Sequence, residues 1–235
     1  MTAKDLIESL QALADEQKAV FSQKFFKTAK GQYAEGDIFW GIKVPETRQI
    51  AKAYRDIPLA ELKKVIANPV HEVRLCGLMV LVEQFKKSNE YKRSEIVYFY
   101  LSNIKCINNW DLVDLSCYNI LGRYLINKPR GILYLMAESK NMWEQRIAIV
   151  STWSFIRNRE FVDTLAIAEM LLDHKHNLIH KAVGWMLREI SKKDEAVMLD
   201  FIEKHYEKIP RTTLRYAIER LPKNVRKEIL YRIKN

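Results

Sequence analysis

The segment NNWDLVDLSCYNILGRYL carries an indole and two carboxylates at its start: Trp110, Asp111 and Asp114. On a helix, residues four apart share a side, so Trp110 and Asp114 meet at the border of an apolar face made by Val113, Cys117, Ile120 and Tyr124. Asp111 and Tyr118 fall just outside it. Asp111 lies in the first turn, where the helix dipole favours negative charge, so its position alone explains it. Asp114 lies beyond that turn and gains little from the dipole. A carboxylate beside a large ring in a basic setting is either an ion-pair partner or a functional group. As a functional group it would stabilise positive charge developing on a substrate, or direct a water at it.

Other chemistries find less support. His174, His176 and His180 lie close together, but no cysteine or further well-spaced ligand completes a metal site, so no metal is expected. There is no P-loop, no dinucleotide-binding glycine motif and no serine nucleophile motif, and no cofactor is expected. The three cysteines, Cys76, Cys106 and Cys117, cannot all pair and read as small buried hydrophobes in a reducing cytoplasm. The start of the chain is acidic and amphipathic, unlike a signal or transit peptide, and no stretch approaches a membrane span of ~20 apolar residues.

The elements that must hold these residues are helices. Glycine and proline are sparse, at 7 and 6 of 235 residues, and apolar residues recur at steps of three and four. This spacing predicts helices over 2–14, 44–54, 59–67, 71–85, 94–103, 110–124, 142–156, 161–172, 178–190, 195–206, 211–220 and 225–233. Pro45 suits a first helical turn, and Asn141 with Glu144 resembles a capping box.

The helices also repeat. HEVRLCGLMVL, MWEQRIAIVST, LIHKAVGWMLR and RTTLRYAIERL align with a basic residue near each start: Arg74, Arg146, Lys181 and Arg215. The last three are 35 and 34 residues apart, and Arg74 to Arg146 is about two such intervals. Helix pairs repeating at this length predict an all-α solenoid, a single domain over residues 1–235 with a concave basic face. In the unit between Arg74 and Arg146, Val113 flanked by two aspartates stands where the others have a cation. A row of cations fits a phosphate backbone; solvated or ion-paired arginines would produce the same row.

Charge points the same way. The net charge is +10, and residues 174–235 supply +7 of it, with 15 Lys and Arg against 8 Asp and Glu. Such asymmetry favours a polyanionic partner, nucleic acid first. One segment, KGQYAEGDIFWGIKVP, breaks the helical pattern. It holds three glycines with Tyr33, Phe39 and Trp40, and these aromatics either sit on an exposed edge or tuck beneath it.

From about Gly36 to Arg220 the sequence resembles the bacterial AlkD-type alkylpurine DNA glycosylases, built from HEAT-like repeats. The matching blocks are GDIFWGIKVPETRQIAK, NNWDLVD, MWEQRIAIV and HKAVGWMLREI, in that order and spacing. The resemblance implies that Asp114 is the catalytic carboxylate and that Trp110 and Trp185 line the lesion site. It also implies that Arg146 holds the DNA backbone in the same cleft. Lys181, Arg188 and Lys43 join Arg146 as candidate backbone contacts, and Tyr33, Phe39 and Trp40 are alternatives for one further aromatic contact.

The implied activity is hydrolysis of the N-glycosidic bond of 3-methyladenine or 7-methylguanine in duplex DNA, by a cytoplasmic monomer without strand cleavage. A purine alkylated at N3 or N7 is cationic and already a good leaving group. An ionised aspartate would then stabilise the sugar's oxocarbenium cation, while tryptophan faces favour a cationic base by about 0.5–2 kcal/mol. The rival readings are a HEAT-repeat module that binds nucleic acid by charge alone, and a protein-binding solenoid. A carboxylate on a nucleic-acid face argues against the first, and steep salt dependence of DNA binding would argue against the second.

Overall fold

The computed structural model describes residues 1–232, which are all-α. Among them there is no strand, only an isolated parallel bridge between Ile38 and Val70. The chain divides into two compact units, Met1–Ser116 and Cys117–Asn235.

The first unit contains α1 (Ala3–Gln11), α2 (Glu16–Phe25), α3 (Val44–Ala53), α4 (Leu59–Ile66), α5 (His71–Lys87), α6 (Glu90–Ser102), a 3₁₀ turn at Ile104–Cys106 and α7 (Trp110–Cys117), whose last residue opens the second unit. α5 is its centre. Its residues His71 to Val82 are all buried, with α3, α4 and α6 packed around it, so the helix is surrounded rather than amphipathic. α2 was not foreseen from the periodicity. Its sequence EQKAVFSQKF buries no residue, so it has no core-facing stripe to betray it. Asp15 caps it by accepting the backbone N–H of Lys18 at 3.0 Å.

The glycine-rich corner is organised by Glu72 of α5. Its buried carboxylate accepts three successive backbone N–H groups, from Trp40, Gly41 and Ile42, at 3.1, 2.8 and 3.3 Å. Gly41 has φ +76, and a Cβ there would stand 2.2 Å from the Asp15 carbonyl oxygen. Only glycine allows that backbone to pass so close to the start of α2.

After Cys117 the second unit holds a π-helical segment, Tyr118–Gly122. It goes on through α8 (Gly131–Ala137), α9 (Met142–Ser151), α10 (Trp153–Arg157), α11 (Val162–Met170), α12 (Asn177–Ser191), α13 (Glu195–His205), α14 (Arg211–Ala217) and α15 (Lys223–Tyr231). The helix expected over 142–156 is broken at Thr152, whose hydroxyl donates to the Ile149 carbonyl at 2.7 Å. Asn141 does cap α9, accepting from Trp143 N–H at 2.9 Å. α8 is seven residues long, too short to show a period. Pro222 precedes α15 and starts it earlier than expected; Ile233 lies outside the described residues.

α12 is the centre of this unit, packed on α9, α13 and α14. Gly184 makes its approach to α14 possible, since a Cβ would meet the Thr213 carbonyl oxygen and Tyr216 Cβ at 2.5 Å.

The four aligned helices are α5, α9, α12 and α14, and each carries its basic residue in its first two turns. Their environments differ, which corrects the picture of a uniform cationic row. Arg74 and Arg146 are buried, at 4% and 5% exposure, whereas Lys181 is half-buried and Arg215 exposed. Arg74 is ion-paired to Asp37 at 2.7 Å.

Candidate active site

α7 begins where Asn109 turns its side chain back to accept the Trp110 N–H at 2.8 Å. Its inner face is Leu112, Val113, Ser116 and Cys117, all fully buried. Ser116 is held by the Leu112 carbonyl at 2.6 Å and by Tyr100 OH at 3.1 Å. Trp110 and Asp114 are both half-buried, at the border of that face, as their spacing predicts.

Trp110 is packed by aromatics from α2 and its end. Phe26 stacks on the indole with centroids 5.5 Å apart, and Phe25 meets it edge-on at 6.1 Å. Phe25 is 55% exposed and Phe21, stacked on it, 69%, so they extend the indole as an apolar surface. Of the three aromatics of the glycine-rich corner, Phe39 is 4% exposed and lies beneath Phe26 and His71. It supports the surface aromatics and is not itself one. Tyr33 and Trp40 are half-buried, and Lys43 is exposed at the start of α3.

Beneath Trp110 lies a buried polar network. His71, the first residue of α5, has Nε2 2.8 Å from an Asp111 oxygen and Nδ1 3.3 Å from Asp37. Asp37 also accepts from Arg74 at 2.7 Å and from the side-chain amides of Asn108 and Asn109 at 3.4 and 3.5 Å. Burial alone would push the His71 imidazole down. The Asp111 charge and the hydrogen bonds to Asp111 and Asp37 outweigh it, against Arg74, and raise it to about 9. Asp37 pays a desolvation cost too, yet His71 and Arg74 hold its carboxyl below the usual range.

In the second unit, Trp185 of α12 is half-buried and its indole N–H donates to Glu189 at 3.1 Å. The other oxygen of Glu189 accepts from the Trp153 indole at 3.4 Å, and Tyr118 meets the Trp153 ring edge-on at 4.3 Å. Lys192 completes the set, 2.5 Å from Glu189. Arg146 donates to the Leu178 carbonyl at 2.5 Å, and little of it is left for a solvent-side ligand. Lys181 and Arg188 line one open groove of about 750 Å³ with Arg215, Lys223, Arg226 and Lys227. Arg188 pairs with Glu219, also in the groove wall, and Lys181 lies 5.9 Å over the Tyr216 ring.

The family model described as DNA alkylation repair enzyme matches residues 6–221. The chain belongs to the DNA alkylation repair enzyme family. A solved structure described as a predicted DNA alkylation repair enzyme from Enterococcus faecalis shares the fold, with a TM-score of 0.71 and 16% identity. The match covers 89% of this chain and 97% of that one. No curated protein matches the sequence significantly.

In this member of the family, Phe25, Phe26, Trp153, Glu189 and His71 escaped the sequence reading. Pairs about one repeat apart offered a signal: Trp153 and Glu189 are separated by 36 residues, and Arg188 and Glu219 by 31. His174, His176 and the α12 residue His180 make hydrogen bonds to backbone groups around the start of α12. His174 accepts from His176 N–H at 2.9 Å, His176 accepts from Leu178 N–H at 3.2 Å, and His180 Nε2 meets the His174 carbonyl at 2.5 Å. Among the described residues, no helix is long and apolar enough to cross a membrane.

Proposed function

We propose that this repair-family protein is a monofunctional DNA glycosylase that hydrolyses the N-glycosidic bond of cationic 3-methyladenine and 7-methylguanine in duplex DNA. The observation that carries the reading is Asp114. It is a half-buried carboxylate one turn along a helix that begins at Trp110, in a chain whose family repairs alkylated DNA. Asp114 stabilises the oxocarbenium cation and orients the attacking water, and the alkylated base leaves without a proton donor. Trp110 and Trp185 attract the cationic base. Lys181, Arg188 and Lys43 hold phosphates, Arg146 fixes the start of α12 through the Leu178 carbonyl, and Tyr33 or Trp40 supplies a further aromatic contact. The chain works as one domain of HEAT-like repeats, as a cytoplasmic monomer in a bacterium, at the first step of base excision.

Chromatography of free bases released from methylated duplex DNA tests this. Wild-type protein is expected to release 7-methylguanine or 3-methyladenine, and Asp114→Asn to bind the duplex without releasing either. Release by Asp114→Asn at the wild-type rate would sink the assignment. Binding without release by the wild type would favour a charge-only binding module.

A further inference from the structure

We infer that His71, clamped as an imidazolium between Asp37 and Asp111, is a positioning residue that fixes the first turn of α7 and hence the setting of Trp110 and Asp114. The inference rests on the proposed glycosylase reading for its kinetic consequence, but not for its structural one.

The geometry requires the charge. Both ring nitrogens of His71 face carboxylate oxygens, at 2.8 Å for Asp111 and 3.3 Å for Asp37. A neutral imidazole has one N–H and one lone pair, so one carboxylate would face a lone pair in a buried site. Only the doubly protonated ring donates to both. Charge balance agrees: two aspartates meet His71 and Arg74. His71 also stands at the N-terminus of α5, where the helix dipole disfavours a cation. The fold places a positive imidazole there only because the carboxylates outweigh that cost. The remaining faces of the ring are covered by Phe39 and Phe26, at 4.5 and 5.0 Å.

The clamp acts on α7 on both sides of Trp110. Asp111 is bound to His71 directly. Asn109, fully buried, accepts the Trp110 N–H on its side-chain oxygen and donates its amide N–H to Asp37. Phe26, packed on His71, stacks on the Trp110 ring. Asp114 follows Asp111 by one turn of the same helix, so a shift at Asp111 is passed to it through rigid backbone.

Loss of the His71 proton removes one of the two donors and leaves the four-group network net negative. The charged groups that face the ring are Asp37 from the loop, Asp111 from α7 and Arg74 from its own helix. Removing one carboxylate lowers the pH at which the proton leaves.

Three measurements test this. Side-chain nitrogen NMR of the wild-type protein is expected to show two N–H protons on His71 at pH 7; a single one would overturn the inference. In Asp111→Asn, the alkaline fall of single-turnover base release is expected to move to lower pH. At pH 8 the rate should drop by about 10- to 100-fold with KM little changed, as a misplaced catalytic group predicts. A variant with an unmoved pH profile, whatever its melting temperature, would show a merely structural role. Hydrogen exchange reads the clamp without any activity: amides 111–114 are expected to lose protection in Asp111→Asn and in His71→Gln, while those of α3 and α4 keep theirs. Unchanged exchange at 111–114 in the folded variants would refute the clamp. Absence of base release from the wild type, with the NMR and exchange results as expected, would refute the glycosylase reading alone.

Discussion

The ring of Phe26 lies against the indole of Trp110, centroids 5.5 Å apart and planes 19° from parallel. This stack joins α2, which buries nothing of its own, to the helix that carries Asp114. Phe26→Ala should cost roughly 0.5–1.5 kcal/mol for the lost ring pair plus the area exposed. Phe25→Ala, more exposed, should cost less. Chemical denaturation monitored by tryptophan fluorescence orders the two, and a larger loss for Phe25→Ala would contradict the packing described.

Glu189 accepts two indole N–H groups and a lysine while almost fully buried. Glu189→Ala strands both indoles and should destabilise the protein by about 1–3 kcal/mol, the penalty for buried groups left unpaired. Trp185→Phe removes a single donor and should cost less. Urea midpoints of the two variants provide the comparison.

Gly184 leaves no room for a methyl group, with a backbone oxygen and Tyr216 Cβ both 2.5 Å from where it would lie. Gly184→Ala should therefore destabilise by about 1–3 kcal/mol despite alanine's better helix propensity. A raised melting temperature would mean that α12 and α14 separate readily.

Stability should fall on the alkaline side earlier than lysine or tyrosine titration would cause. His71 is raised from 6.5 to about 9 in the folded protein, so its contribution is complete below pH 6.5 and disappears as pH rises towards 9. The buried Cys76 thiol, raised from 9.0 to about 12, adds loss only above that window. Asp37 is lowered, so its contribution is present at neutral pH and is lost on acidification. Thermal unfolding between pH 6 and 9 should show a decline that His71→Gln flattens.

The groove lined by Lys181, Arg215, Lys223 and Lys227 should bind a duplex through phosphates. Lys181→Ala should weaken binding alike for methylated and unmethylated duplexes, and should reduce the slope of log K against log salt by about 1. Fluorescence anisotropy across a salt series measures both. A defect confined to methylated DNA would place Lys181 at the lesion instead.

That Trp110 and Asp114 share one side of α7 was legible in the sequence because it is local: helical spacing alone sets it. The helices with an apolar stripe were legible for the same reason, and the aligned segments fell on α5, α9, α12 and α14, each with a basic residue in its first two turns. Burial of Arg74 was not legible. Its partner Asp37 lies 37 residues earlier, in a loop without period, and an ion pair formed across that distance leaves no trace in either segment. Phe25 and Phe26 were hidden similarly, since α2 shows no stripe and its role is apparent only once Trp110 lies against it.

Glu72 binds three consecutive backbone N–H groups as a free anion would in a backbone nest. Here the anion is covalently part of the chain, so its local concentration is set by the length of tether and not by the medium. The glycine-rich corner consequently needs no phosphate or chloride from its surroundings to keep its shape, and neither dilution nor dialysis can strip it. A truncated side chain at position 72 would turn that self-sufficiency into a dependence on dissolved anions.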